Sequence, residues 1–117
     1  MSGRERRKAP RVDVELPITL EGGSGEVRGK TLNISASGIY FELSRYIEPM
    51  TKLRMGLAIP LAAENGKEGI VQFDGIVVRT EPETESDEVK IYRMAVFFTH
   101  VPSPSMEILS RFISNNL

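Results

Sequence analysis

Apolar residues recur at every second position through most of this chain and change to three- and four-residue spacing only near its C-terminal end. Val12, Val14, Leu16, Ile18 and Leu20 share one face of a first strand, and Arg11, Asp13, Glu15, Pro17 and Thr19 share the other. That alternation is the pattern of a half-buried strand. Pro17 has no N–H to give to a ladder, which predicts an edge position or a bulge. Glu21-Gly22-Gly23-Ser24-Gly25 reads as a glycine-rich hairpin turn, leading to a second strand over residues 26–34. Ser35 to Gly38 predicts a tight turn, and a third strand follows over 39–43.

Pro49 breaks the chain, and Leu53, Met55, Leu57 and Ile59 then alternate along a fourth strand over 52–61. After a loop at 62–66, a fifth strand spans 68–80, where Gly75 predicts a bulge or a close backbone approach. Residues 81–88 are strongly acidic and read as a solvated connection. The sixth strand covers 89–99, with Tyr92, Met94, Val96 and Phe98 on one face and Phe97 on the other.

The period then changes. Met106, Leu109, Phe112 and Ile113 form a helical stripe, predicting a helix over 104–116 with Ser103 as N-cap and Pro104 at the first helical position. The expected architecture is all-β (mainly β): a six-stranded antiparallel β-barrel with a C-terminal α-helix over one open end or flank. It comprises residues 12–117, behind a flexible basic N-terminal arm of residues 1–11.

A length of 117 residues fits one domain with a real core. The absence of cysteine rules out disulfides and thiolate metal sites, and a single histidine, His100, gives little support to a metal centre or a Ser–His relay. No apolar run approaches the roughly 18–20 residues needed to cross a bilayer. The N-terminus opens on charge rather than an apolar signal segment. A cytoplasmic protein with no membrane insertion is expected.

Charge is unevenly placed. Residues 1–11 hold five basic residues against one acidic, a net +4, which leaves −5 on the rest of a chain totalling −1. A cationic arm on an acidic body recruits a small anion, whereas the body repels a long polyanion such as DNA or RNA.

Two polar signatures carry candidate chemistry. Arg7-Lys8-Ala9-Pro10-Arg11 reads R-x-x-x-R, and Asn33-Ile34-Ser35-Ala36-Ser37-Gly38 reads N-x-S-x-x-G. Arginine offers a planar fork of donors that matches phosphate oxygens and the guanine O6/N7 edge, and it stacks on flat π-systems. Pro10 keeps Ala9 extended and lowers the entropy lost when the arm orders. Asn33 and Ser35 alternate with Ile34, so both are expected to face away from the core, offering an amide to a base edge and a hydroxyl to phosphate or base. Gly38 admits a positive φ and a close ligand approach. A polar wall facing a basic arm amounts to a nucleotide clamp.

These residues resemble the PilZ domain, the bacterial receptor family for cyclic di-GMP (cyclic di-guanylate). The likeness extends to Gly75-Ile76-Val77-Val78-Arg79, similar to the family's glycine–valine strand leading into an arginine, and Asn33 stands where Asp is commoner. The resemblance implies that Arg7 and Arg11 bind guanine and phosphate, that Asn33 and Ser35 read a guanine edge, and that Gly38 keeps the turn open. Arg6, just before R-x-x-x-R, is implied to bear on ligand stoichiometry and suits an intercalated ligand dimer. Arg79 is a weaker candidate, read more readily as a solvent-facing or ion-paired residue.

The expected function is a non-enzymatic cyclic di-GMP receptor or adaptor, monomeric or dimeric, with no cofactor. Ligand would order the arm and change a surface seen by an unidentified downstream protein controlling motility, biofilm or exopolysaccharide output. The alternative is a PilZ-like protein–protein interaction module that does not need the nucleotide, although such members usually lack the arginine pair. A barrel binding single-stranded nucleic acid is disfavoured by the acidic body, by only 7% aromatic residues and by the lack of a surface stacking pair on the presumed binding strand. No nucleophile–base pair or metal-ligand spacing supports an enzyme.

Overall fold

The computed structural model describes residues 10–21, 27–61 and 67–117. Seven strands and one helix follow in order: β1 (Val12–Asp13), β2 (Pro17–Glu21), β3 (Val27–Ile34), β4 (Gly38–Leu43), β5 (Lys52–Pro60), β6 (Glu68–Glu81), β7 (Tyr92–His100) and α1 (Ser103–Asn115). All pairings are antiparallel, and the sheet order is β1-β3-β2-β5-β6-β7-β4 with a further β3–β4 pairing. That last pairing closes a six-stranded barrel of β2, β3, β4, β7, β6 and β5.

The expected first strand is split. Val12 pairs with Ile34 and Pro17 with Lys30, registers that differ by one residue, so an irregularity falls at residues 14–16. Backbone bonds persist through it, Val14 N–H to the Leu32 carbonyl at 3.1 Å and Thr31 N–H to the Leu16 carbonyl at 2.8 Å. Of the two explanations for Pro17, the bulge holds. β2 is no edge strand, since it pairs with β3 on one side and β5 on the other. The hairpin turn at 22–25 and the loop at 62–66 lie outside the described residues, as do Arg6, Arg7 and the rest of the arm up to residue 9.

Inward alternation fills the barrel. Ile18, Ile34, Ile39, Phe41, Leu43, Met55, Leu57, Ile59, Val71, Phe73, Val77, Met94 and Val96 are buried, with Phe73 and Phe98 in ring contact at 4.4 Å. Gly75 meets both expectations placed on it. The β6–β7 register shifts between Asp74 and Gly75, and a Cβ there would lie 2.5 Å from Val96 Cγ1 and 3.0 Å from the Phe97 carbonyl oxygen.

The helix buries Leu109, Phe112 and Ile113 and packs on β6 and β5, so it flanks the barrel. Ser105 Oγ accepts from the Gln72 N–H at 2.9 Å, fastening α1 to β6. Its N-cap is Pro102 and not Ser103, and Pro104 sits in the first turn. The Pro102 carbonyl accepts the Met106 N–H at 2.9 Å, which starts the helix one residue earlier than expected without a side-chain cap.

Candidate functional site: a polar turn and an outer barrel wall

The second signature begins at the end of β3. A register shift between Thr31 and Asn33 leaves Leu32 as the extra residue against β4. Thr31 is buried, so strict alternation would turn Asn33 inward as well. The bulge resets the phase: Asn33 is half-buried on the outer wall opposite Tyr40, and Ile34 points into the core. Bulges re-aim side chains in this way.

Arg11, the described arginine of the first signature, reaches the same place. Arg11 Nη1 donates to Asn33 Oδ1 at 2.8 Å, joining residues 22 apart in sequence. β1 makes the contact possible, because Val12 and Asp13 pair with Ile34 and Asn33 and so lay Arg11 beside the end of β3.

Ser35 departs from its expected position. It is fully buried, and its hydroxyl serves the turn instead of facing outward with Asn33. Ser35 Oγ accepts the Ser37 N–H at 3.1 Å and the Gly38 N–H at 3.2 Å, and the Ser35 N–H bonds the Gly38 carbonyl at 2.9 Å. A serine hydroxyl captures local backbone donors readily where the chain turns. Gly38 is also explained differently from expected. Its φ is not positive. It begins β4, and a Cβ there would stand 2.6 Å from the Val96 carbonyl oxygen. The close neighbour is the chain's own backbone.

Beyond the turn, the outer faces of β3, β4, β7 and β6 form successive rows. Lys30, Glu42, Arg93 and Glu81 make an alternating charged row, with Glu42 carboxylate oxygens 3.4 Å from Lys30 and 3.6 Å from Arg93. The next row is Asn33, Tyr40, Ala95 and Arg79. A second bulge, at Val78, turns Arg79 outward at its far end, where it lies 3.7 Å from Glu81. Arg79 is thus ion-paired and solvent-facing.

Sequence reasoning missed Tyr40. Its hydroxyl donates to Glu81 Oε1 at 2.9 Å, and burial together with this hydrogen bond raises the phenol above its ordinary range. Its outward position between inward Ile39 and Phe41 was the available signal. With exposed Phe97 two residues from Ala95, the wall also carries two aromatic rings; they come from different strands, and only the pairing of β4 with β7 brings them near.

All three tyrosines of the chain hold the acidic connection. Besides Tyr40, Tyr46 Oη donates to the Glu83 carbonyl at 2.9 Å, and Tyr92 Oη bonds both the N–H and the carbonyl of Ser86. Residues 82–88 are exposed, as expected, but pinned. Among the described residues no helix is long and apolar enough to cross a membrane.

A closed six-stranded barrel carrying a serine-locked N-x-S-x-x-G turn and an arginine laid on its asparagine defines a small barrel domain with a polar outer wall. The sequence matches the PilZ domain family model over residues 5–115, and the chain belongs to that family. No curated protein sequence matches it. Among solved structures, the Bacillus subtilis inhibitor of motility MotI/DgrA is similar with a TM-score of 0.72 at 19% identity, over 94% of this chain and 51% of that one. The PilZ domain of Escherichia coli YcgR, solved with c-di-GMP, has a TM-score of 0.72 at 13% identity, over 95% of this chain and 91% of that one. The K. pneumonia MrkH–c-di-GMP complex has a TM-score of 0.61 at 14% identity, over 94% and 52% of the two chains. This chain therefore spans about half of MotI/DgrA and of MrkH, and at these identities the likeness is one of fold.

Proposed function

We propose that this protein is a cyclic di-GMP receptor that acts as an adaptor and not as an enzyme. The observation that carries the reading is the 2.8 Å hydrogen bond from Arg11 to Asn33, which joins the last arginine of one signature to the first residue of the other. Family membership and the c-di-GMP complexes of structurally similar PilZ proteins support it. Residues 1–11 act as a basic arm and residues 12–117 as the barrel domain. Arg6, Arg7 and Arg11 grip phosphates and guanine, Asn33 reads a base edge, and Ser35 and Gly38 hold the turn that aims Asn33. Ordering of the arm changes the surface offered to a cytoplasmic partner governing motility, biofilm or exopolysaccharide output.

Calorimetric titration of the full chain with cyclic di-GMP tests the reading. Saturable binding that is lost in the Arg7→Ala/Arg11→Ala double variant is expected. A wild-type chain that gives no saturable binding overturns it and leaves the nucleotide-independent interaction module.

A further inference from the structure

Tyr40 lies on β4 and its hydrogen-bond acceptor Glu81 on β6, with β7 between them. Two strand spacings amount to roughly 9–10 Å. The tyrosine and glutamate side chains cover that span together by reaching toward each other over β7, and the β7 residue directly opposite Tyr40 is Ala95, whose small methyl group leaves room for the ring. Glu81 is itself steadied by Arg79 at 3.7 Å. The result is a partly buried aromatic ring held over β7 by its hydroxyl, with Asn33 opposite its root on the neighbouring strand.

One row toward the turn, Phe97 is 55% exposed and faces Gly38, which has no side chain to cover it. Tyr40 and Phe97 thus occupy the diagonal of a four-residue block whose other members, Gly38 and Ala95, are small. Diagonal neighbours stand about 7–8 Å apart. At that spacing Phe97 stands beside the Tyr40 ring, at the margin of whatever rests on its outward face.

We propose that Tyr40, laid across Ala95 by Glu81, is the stacking platform for a purine base of the ligand, with Phe97 closing its open side. This rests on the cyclic di-GMP reading of the Asn33 wall. A base on this platform directs one edge toward β3, where the Asn33 amide can read it. Stacking adds to the affinity that the arginines give, and the amide adds discrimination. Glu81 is a positioning residue that touches Tyr40 and not the base.

Calorimetry of the full chain with cyclic di-GMP tests the platform. Tyr40→Ala and Tyr40→Leu are expected to raise Kd roughly 5- to 150-fold, the range for loss of one base–aromatic stack, and Tyr40→Phe to stay within about 5-fold of wild type. Ile70→Ala, exposed at the far end of β6, should leave Kd unchanged. Leucine keeps apolar bulk at position 40, so the test survives even if alanine loosens the wall.

Binding by Tyr40→Leu as tight as wild type overturns the platform and leaves the receptor reading intact. Absence of wild-type binding removes both. An unchanged Kd in Tyr40→Ala with loss of a protein partner also overturns it, assigning the wall to protein docking. In Phe97→Trp, the only tryptophan of the chain, emission is expected to change on titration, and constant emission removes Phe97 from the seat.

Discussion

Arg11 and Asn33 are joined across the β1–β3 ladder by a 2.8 Å hydrogen bond, so the start of the ordered barrel and the end of β3 present one donor-rich surface. The bond is exposed, and exposed polar contacts of this kind contribute little to folding. Arg11→Ala should change unfolding free energy by less than about 0.5 kcal/mol. It should still weaken cyclic di-GMP binding by about 10-fold or more, since charge-assisted hydrogen bonds contribute roughly 1.5–3 kcal/mol. Denaturant melts and calorimetry on the same variant separate the two effects.

Ser35→Ala has the opposite profile. The buried hydroxyl accepts the N–H groups of Ser37 and Gly38, and alanine leaves both without that acceptor. A loss of about 1–3 kcal/mol in denaturant unfolding is expected.

Gly38→Ala drives a Cβ to within 2.6 Å of the Val96 carbonyl oxygen. Backbone cannot step aside as a flexible side chain can, so β4 must shift away from β7. About 1–3 kcal/mol of destabilisation is expected in a denaturant melt, with disturbed amide signals along both strands by NMR.

The signatures themselves are legible as sequence, and so are the inward sets of β5 and β7, from Met55 to Ile59 and from Tyr92 to Phe98, because period-two patterning needs no knowledge of partners. What stayed hidden depended on register. Asn33 faces outward only because Leu32 is an extra residue, and Arg79 only because Val78 is one. Each bulge is a property of two paired strands, and one strand's letters do not record it. Ser35 and Gly38 stand out in the sequence, yet what the structure asks of them comes from backbone groups of the turn and of Val96. Tyr40 was hidden because its partner Glu81 is 41 residues away.

Thr31→Val should stabilise the protein. Thr31 is fully buried opposite Phe41, and its Oγ1 has no hydrogen-bond partner among the described residues. Removing an unsatisfied hydroxyl while keeping the branched shape is expected to add about 1 kcal/mol, read as a higher denaturation midpoint with an unchanged slope.

Tyr40 predicts an alkaline signature. Burial first, and then the hydrogen bond to Glu81, raise its pKa above the ordinary 10.0, so the folded state favours the protonated phenol. The associated stability is fully present below pH 10.0 and is lost as pH climbs through the raised folded value. Denaturant melts from about pH 8 to about pH 11 should show the stability difference between wild type and Tyr40→Phe holding steady and then shrinking at the alkaline end.

The β3–β4 pairing that completes the ring has one more outcome. Closure leaves no barrel strand unpaired along a whole flank, so an added neighbour could pair only with short stretches beyond these registers, such as residues 68–73 of β6 on the side where β7 has not yet begun. Most of what the cylinder offers to a reader is therefore the chemistry of its projecting side chains, which natural substitution can rewrite without disturbing the main chain beneath.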